Sequence, residues 1–177
     1  MARAPLSLKA RAIGLLAQRE HSRTELRRKL LRIEQQRIRL AALAAADRIG
    51  EGVKPVADDD ALASPIETDV DALLDTLAAD GYLSESRFVE SRVHARAGRF
   101  GTQRIQQELA QHGLRLDAEQ QDALRSTELE RAREVWLRRF GPEPAMEPTE
   151  QARQTRFLMA RGFAADIVRR VLRRSKN

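Results

Sequence analysis

The chain has 177 residues, of which 42% are hydrophobic, 33% are charged and none is cysteine, so disulfides, cysteine–zinc sites and thiol catalysis are excluded. Its net charge of +6 permits a polyanionic partner without demonstrating one. No apolar run approaches the roughly 18 residues of a membrane span, and we expect a cytoplasmic protein without a membrane partner. Only 6 prolines and 9 glycines interrupt a sequence rich in Ala, Leu, Arg and Glu, which favours an all-α protein of about nine helices.

Three helices are predicted in the first half of the chain from apolar periodicity and capping residues. The first runs from about Ser7 to Arg19. The second begins at Ser22, which has the spacing of a capping box with Glu25, and runs to about residue 32. The third begins near residue 68 and stops at residue 81.

Residues 34–67 separate the second and third helices and interrupt this pattern. The Ala-rich stretch 33–49 could prolong the second helix, whereas the sequence GEGVKPVADDDALASP after it is typical of a flexible acidic linker. The run 58–60 of three aspartates lacks the glycine and the distal glutamate of a calcium loop. We therefore interpret residues 34–67 as an insertion that contains a solvated acidic linker.

Three short helices are predicted in the middle of the chain by the same criteria. Ser84 caps the fourth helix, which ends near Gly98. The fifth helix runs from Thr102 to Gly113, and Asp117 caps a short sixth helix.

Three further helices are predicted in the last part of the chain. Thr127 and Glu130 have the spacing of a capping box at the start of the seventh. After a proline-containing loop at 142–148, the eighth helix runs over 149–161, and Gly162 suits the left-handed residue that ends a helix. The ninth helix carries the apolar residues Ile167, Val168, Val171 and Leu172.

A two-helix unit is repeated three times along the chain. The position held by Ser22 in the first copy is held by Gly101 in the second and by Phe163 in the third. Two apolar residues four apart come next each time, namely Leu26 and Leu30, Ile105 and Leu109, and Ile167 and Val171. One such unit cannot bury its apolar face alone, so we expect the copies to stack on one another.

Charge alternates in blocks that match these repeats. Residues 1–40, 87–113 and 149–177 carry net charges of +8, +3 and +6, whereas residues 41–86 and 114–148 carry −9 and −2. Stacking of equivalent helices would align the arginines of the basic blocks into one stripe, which suits sequence-independent contact with a phosphate backbone or an acidic protein groove. The residues assigned to this basic stripe are Arg19, Arg23, Arg27, Arg28, Arg32, Arg92, Arg96, Arg99, Arg104, Arg161, Arg169, Arg170 and Arg173.

A second interpretation is a helix-turn-helix-like DNA-binding regulator that uses residues 22–32 as its recognition helix. Direct base readout needs one exposed helix with base-edge readers such as Asn or Gln. Gln103, Gln106 and Gln107 could serve in the second unit, but the corresponding residues of the other units are Arg, Thr or Ala. The two interpretations differ in what a single helix should do, because only the second places all binding on one helix.

No catalytic, metal or cofactor site is indicated by the sequence. His21, His94 and His112 lack the i, i+4 spacing of a helical zinc pair. Residues 98–101 lack the pattern of a phosphate loop. We therefore expect a protein that is not an enzyme and that carries no cofactor.

Several motifs in order along the chain resemble the bacterial RecX regulatory proteins. They are REHSRTELRRKL at 19–30, DGYLSESRF at 80–88, G-x-x-RI-x-x-EL at 101–109, and RFLMARGF at 156–163 with DIVRRVL after it. The resemblance covers nearly all of the chain except about 34–67. Two departures are mild, since the usual Gly-Tyr-Gly of the family is Arg-Phe-Gly at 99–101 and its Asp-Asp is Ser-Glu at 84–85.

The resemblance implies three stacked three-helix repeats that form a curved, elongated molecule. We assign the repeats to residues 1–33 with 68–83, to 84–125 and to 126–177. The resemblance also implies a non-enzymatic regulator of DNA repair and recombination that binds in the groove of the RecA–DNA filament and inhibits ATP hydrolysis, strand exchange and co-protease activity. Its expected partners are the RecA filament and, weakly and without sequence preference, single- and double-stranded DNA, and we expect a monomer.

Overall fold

The computed structural model describes residues 6–49, 59–142 and 145–174. These residues form the helices α1 (Leu8–Leu16), α2 (Arg23–Ile49), α3 (Asp59–Ala79), α4 (Glu85–Ala97), α5 (Thr102–Ala110), α6 (Ala118–Ser126), α7 (Glu128–Phe140), α8 (Pro148–Ala160) and α9 (Ala165–Arg174). No strand is present in this part of the chain, and the prediction of an all-α protein is confirmed.

The second helix is longer than its predicted end near residue 32. α2 continues to Ile49, because the Ala-rich stretch 33–49 has a high helix propensity. The predicted start of the third helix near Thr68 is wrong, since α3 begins at Asp59 and contains Pro65. Residues 50–58, which include most of the predicted flexible linker, lie outside the described residues.

An internal proline is tolerated in α3 because its neighbour in the chain is packed. Proline removes one backbone donor and crowds the preceding turn, so it normally kinks or ends a helix. Ile66, directly after Pro65, packs against the core formed with the first two helices. Packing of this turn supplies stabilisation that the local sequence does not reveal.

The chain divides into two compact units, unit 1 (Met1–Phe88) and unit 2 (Val89–Asn177). The core of unit 1 consists of Ala12, Leu26, Leu30, Val70, Leu74, Leu77 and Leu83. The main core of unit 2 consists of Ala132, Val135, Trp136, Leu158, Phe163, Ile167, Val168 and Val171. All six apolar residues that define the repeated two-helix unit are buried. The boundaries of the three repeats stay a prediction.

Serine and aspartate side chains cap the starts of four helices, and the sequence predicts three of these caps, at Ser22, Ser84 and Asp117. Backbone N–H groups three residues further on donate to the side-chain oxygens of Ser7, Ser22, Ser84 and Asp117, at 3.2, 3.1, 3.3 and 2.7 Å. At Asp117 the bond is reciprocal, because its own N–H donates to the side chain of Gln120 at 3.2 Å. These caps satisfy donors that the first helical turn leaves without partners.

The capping box predicted for Thr127 and Glu130 is wrong. Thr127 has a helical backbone and makes no side-chain cap. Its hydroxyl donates instead to the carbonyl oxygens of Ala123 and Leu124, at 3.2 and 3.3 Å, as a threonine does inside a helix. α6 and α7 succeed each other so closely that the extended backbone of an N-cap is not formed.

α8 ends in a Schellman motif at Gly162, the glycine that the sequence predicts to end this helix. Gly162 has a φ of +79°. Its N–H donates to the carbonyl of Met159 at 2.9 Å, and the N–H of Phe163 donates to the carbonyl of Leu158 at 3.3 Å. These two bonds satisfy carbonyl groups of the last turn and direct Phe163 into the core of unit 2.

Two glycines bring α5 and the end of α8 into backbone contact within unit 2. The N–H of Gly101 donates to the carbonyl of Arg161 at 2.9 Å, and the N–H of Gln103 donates to the carbonyl of Gly162 at 3.2 Å. A Cβ atom at Gly101 would lie 2.2 Å from the oxygen of Gly162, and one at Gly162 would lie 2.5 Å from Cβ of Arg104. Donors at the start of α5 therefore satisfy acceptors at the end of α8.

Glu128 caps α5 from another helix. The side chain is only 4% exposed, and its carboxylate accepts hydrogen bonds from the N–H and the hydroxyl of Thr102, at 3.0 and 2.9 Å. A negative charge at a helix N-terminus is favourable. Glu128 therefore replaces the side-chain cap that Gly101 cannot supply.

Arg131 caps the C-terminal ends of α4 and α6. Its guanidinium donates to the carbonyl oxygens of Ala97, Phe100 and Leu124, at 2.9, 2.8 and 2.8 Å. Burial lowers the pKa of Arg131, and the charge of Glu128 opposes that change. Sequence reasoning missed this residue because nothing in its immediate neighbourhood distinguishes it from exposed arginines of α7.

Candidate polyanion-binding surface

Two arginines of the predicted basic stripe are bonded to the acidic helix α3 in unit 1. Arg23 Nη1 lies 2.8 Å from Asp75 Oδ1. Arg27 reaches Asp71 through Nε at 2.7 Å and Glu67 through Nη2 at 2.9 Å. The hydrogen bond between Arg27 and Asp71 raises the pKa of the arginine and lowers the pKa of the aspartate. These basic and acidic residues neutralise each other, so this face of α2 is not a free cationic surface.

Arg19, also predicted for the stripe, is bonded to a nearly buried carboxylate. It forms a bidentate ion pair with Glu25, and Nδ1 of the buried His21 lies 3.2 Å from Glu25 Oε2. Burial opposes ionisation of Glu25, but the hydrogen bonds from Arg19 and the nearby ring of His21 outweigh it and hold the pKa of Glu25 at about 2. Burial also lowers the pKa of His21 from 6.5. This cluster holds the start of α2 and engages both terminal nitrogens of Arg19 within the fold.

We expect acidification to destabilise unit 1 in two steps. The pKa of Glu25 is lowered from 4.5 to about 2 and that of His21 is lowered from 6.5, so the unfolded chain binds more protons than the folded chain. Stability should therefore decline as pH falls below 6.5 and again between 4.5 and 2. Hydrogen-exchange protection of α2 amides, corrected for intrinsic rates, measures this decline.

A substitution assigns the step between pH 4.5 and 2 to Glu25. Glu25→Gln should flatten the decline between pH 4.5 and 2, because the carboxylate that loses its charge is gone. Glu85→Gln removes an exposed carboxylate of the same unit and is the matched control. A Glu25→Gln protein that retained the full decline in that range would contradict the assignment.

Two other predicted residues of unit 1 are open to solvent. Arg28 and Arg32 are exposed on α2. Neither makes an ion pair with any residue that the structure describes. Of the five predicted arginines in unit 1, three are therefore engaged within the fold and two are presented outward.

Three predicted arginines of unit 2 line a polar hollow of about 250 Å³, formed by residues of α4 and α5 and the turn after α5. They are Arg92, Arg96 and Arg104. Glu108 stands in the same hollow, with its carboxylate oxygens 3.0 Å from Arg96 Nε and 4.0 Å from Arg104 Nε. Because this carboxylate partly neutralises the hollow, its attraction for another anion is reduced.

A second depression of unit 2 brings predicted arginines together with two that sequence reasoning missed. It has a volume of about 230 Å³ and is lined by Gly98, Arg99, Val135, Arg138, Arg139, Phe157 and Arg161. We call it the arginine depression. Arg99 and Arg161 belong to the predicted stripe, whereas Arg138 and Arg139 lie in the last turn of α7. None of the lining residues is acidic, so its positive charge is not compensated from within.

Aromatic rings and one carbonyl group orient these arginines. The guanidinium carbons of Arg161, Arg99 and Arg139 lie 4.0, 5.8 and 5.8 Å from the ring centroids of Phe157, Phe100 and Phe140. Such cation–π contacts favour a guanidinium over the ring face. Arg138 Nη2 donates to the carbonyl of Gly98 at 2.7 Å. The four side chains are therefore held near the depression by contacts that leave donors available.

The last helix presents a basic face to solvent. The predicted Arg169, Arg170 and Arg173 are exposed, and none of them makes an ion pair with the residues that the structure describes. Ile167 and Val171 of the same helix are buried. The helical period therefore separates an apolar face, which packs in unit 2, from a basic face.

A signal for the missed arginines was present in the sequence. Arg138 and Arg139 are adjacent cations in the last turn of a helix, where basic residues favour the helix dipole. They were overlooked because residues 114–148 carry a net charge of −2. The net charge of a long segment hides a local cluster of arginines when acidic residues lie elsewhere in the same segment.

Membrane spans and metal sites are absent from the described part of the chain. None of its helices is long and apolar enough to cross a membrane. Within the same residues, no group of three or more His, Cys, Asp or Glu side chains is placed to hold a metal ion. The candidate site rests instead on the exposure and charge of the outward-facing arginines.

Comparison with known proteins identifies similar domains and full-length relatives. The family model described as "RecX, second three-helix domain" matches residues 84–117, and "RecX, third three-helix domain" matches residues 126–172. Regulatory protein RecX of Leptothrix cholodnii is 49% identical over 173 residues, which cover 97% of this chain and 90% of that protein. The proteins of the same name from Ralstonia pickettii and Pseudomonas putida F1 are 44% and 38% identical, covering 96% and 95% of this chain and 89% and 90% of theirs.

Proposed function

Because the chain belongs to the RecX family of regulatory proteins, we propose that it binds the RecA recombinase and its DNA filament and inhibits ATP hydrolysis, strand exchange and co-protease activity. The observation that carries this proposal is the similarity to proteins named Regulatory protein RecX over 97% of the chain. The protein acts without catalysis, as a monomer in the bacterial cytoplasm.

Outward-facing arginines supply the binding chemistry. The members of the predicted stripe that are exposed or partly exposed and make no ion pair within the described residues are Arg28, Arg32, Arg99, Arg161, Arg169, Arg170 and Arg173. A guanidinium binds phosphate and carboxylate groups through the same planar fork. A nucleoprotein filament offers both groups, so a distributed basic surface suits it better than a single recognition helix would.

Titration of the protein into a RecA ATPase assay on single-stranded DNA tests this proposal. We expect ATP hydrolysis to fall as the protein concentration rises. Arg169→Gln/Arg170→Gln/Arg173→Gln should raise the concentration for half-inhibition about tenfold, since each exposed ionic contact contributes on the order of 0.5 kcal/mol. An ATPase rate unchanged at saturating protein would refute the proposed function.

A matched triple variant controls for charge alone. Arg115→Gln/Arg125→Gln/Arg133→Gln removes three exposed arginines of the same unit that lie outside the proposed surface. We expect it to change the half-inhibiting concentration less than about threefold, because salt screens exposed charges that lie far from the bound partner. Equal effects of the two triple variants would show that net charge, rather than a surface, determines inhibition.

The helix-turn-helix alternative is disfavoured by the ion pairs of α2. A recognition helix must present its basic side chains to DNA, yet Arg23 and Arg27 are bonded to carboxylates of α3. Arg28→Glu/Arg32→Glu distinguishes the two functions, because a sole recognition helix would lose nearly all DNA binding. Under the proposed function the same variant should lose only part of it.

A further inference from the structure

We propose that the arginine depression of unit 2 is a binding site for consecutive phosphates of a nucleic-acid backbone. This assignment rests on the proposed function, which includes DNA as part of the filament, and specifies where this chain holds the DNA. Arg138 and Arg139, which lie outside the predicted stripe, become part of the binding site.

Uncompensated charge separates this depression from two other groups of arginines, namely those in the hollow beside α5 and those of α2 that meet α3. Four of its seven lining residues are arginines and none is acidic. The hollow beside α5 contains Glu108, which lies 3.0 Å from Arg96. In unit 1, Arg23 and Arg27 are likewise bonded to carboxylates. An incoming anion at the arginine depression does not have to displace an internal partner of this kind.

The arginine side chains around the depression are also held in place before an anion binds. Val135 and Phe157 supply apolar wall beside the arginines. Arg161 lies over Phe157, with 4.0 Å between the guanidinium carbon and the ring centroid. Arg138 is anchored to the carbonyl of Gly98. These contacts restrict the arginines before a ligand arrives, so less conformational entropy is lost on binding.

The number of charges favours a chain of phosphates over a single acidic side chain. One carboxylate would neutralise one of the four guanidinium groups and would leave the others close together. Successive phosphates of one strand bring several negative charges on a single covalent chain, and each has oxygens for an arginine fork. A free polyphosphate has the same chemistry, so the experiment must separate it from a nucleic-acid strand.

Fluorescence anisotropy of a labelled oligothymidine with the full-length protein, and with no recombinase present, tests the assignment. Arg139→Gln/Arg161→Gln should weaken binding at least about tenfold and reduce the salt slope by about 1.4, corresponding to two phosphate contacts on a single strand. Without recombinase in the assay, a failure of phosphate binding is distinguishable from a failure of ATPase inhibition.

The control for this experiment is Arg115→Gln/Arg125→Gln, which removes the same charge from exposed positions of unit 2. It should weaken binding less than about threefold. Equal losses for the two double variants would overturn the proposal in favour of diffuse attraction. Fluorescence of Trp136, the single tryptophan of the chain and a core residue of unit 2, verifies that both variants fold.

Competition identifies the source of the phosphates. We compare unlabelled oligothymidine, inorganic triphosphate and polyglutamate as competitors at equal total negative charge. Oligothymidine should displace the probe at the lowest concentration. Inorganic triphosphate that competed equally at matched charge, with the same dependence on Arg139 and Arg161, would assign the depression to a free polyphosphate instead. Polyglutamate that competed equally would assign it to an acidic protein, and either result would overturn the proposal for nucleic acid.

Discussion

Gly101→Ala should lower the free energy of unfolding of unit 2 by about 2–4 kcal/mol, at or above the usual range for added atoms in a packed site. The new Cβ atom would lie 2.2 Å from the oxygen of Gly162 and 2.4 Å from the nitrogen of Phe163. Both atoms belong to backbone, which cannot rotate away as a flexible side chain can. Relief requires that α5 and the end of α8 separate, which breaks the bond from Gly101 N–H to the carbonyl of Arg161.

Urea unfolding monitored by Trp136 fluorescence measures this effect in the appropriate unit, because the only tryptophan of the chain lies in the core of unit 2. Gly98→Ala is the matched control, since a Cβ at Gly98 meets no atom within 4 Å and its φ is not positive. We expect the control to change stability by less than about 0.5 kcal/mol. Similar shifts for the two substitutions would contradict the close approach of the backbones.

Apolar spacing and capping chemistry made most of the helices predictable. Leu26 and Leu30 are spaced at the helical period and are fully buried. The same is true of Ile105 and Leu109. Gly162 specifies a helix end through its own backbone preference. Each of these signals is contained within a few residues. Such local features can be recognised before any tertiary contact is known.

Errors arose where packing decides the local structure. The stretch that ends at Pro65 was predicted as a flexible linker, yet α3 extends through Pro65 while Ile66 packs against the core of unit 1. Thr127 and Glu130 had the correct spacing for a capping box, but α6 ends so close to α7 that Thr127 stays helical. In each case the competing contact is specified by residues that are distant in the sequence or by the fold itself.

The sequence predicts which segments are basic, but it does not predict which of their arginines are paired within the fold. Arg27 and Arg28 are neighbours in one basic helix, and no local feature shows that only Arg27 meets Asp71, 44 residues away. Arg138 was missed although it approaches Gly98, 40 residues earlier in the chain. A count of charges identifies basic segments, whereas the pairing that decides which cations remain available is a tertiary property.

Arg131→Met should destabilise unit 2 by about 3–5 kcal/mol, because it removes the donors to three buried or partly buried carbonyl groups. The bonds to Ala97, Phe100 and Leu124 are all 2.8–2.9 Å long. Methionine preserves much of the apolar stem and adds no new polar group, so the loss reports the guanidinium. Urea unfolding monitored by Trp136 fluorescence measures it.

Two further substitutions separate geometry from charge at Arg131. Arg131→Lys keeps the positive charge but not the planar fork that reaches the ends of both α4 and α6, so it should recover only part of the stability. Arg133→Met removes an exposed arginine of the same helix and should change stability by less than about 0.5 kcal/mol. Full recovery with lysine would show that charge alone matters at this position. Partial recovery would show that the planar guanidinium of Arg131, and not its charge alone, joins the ends of α4 and α6.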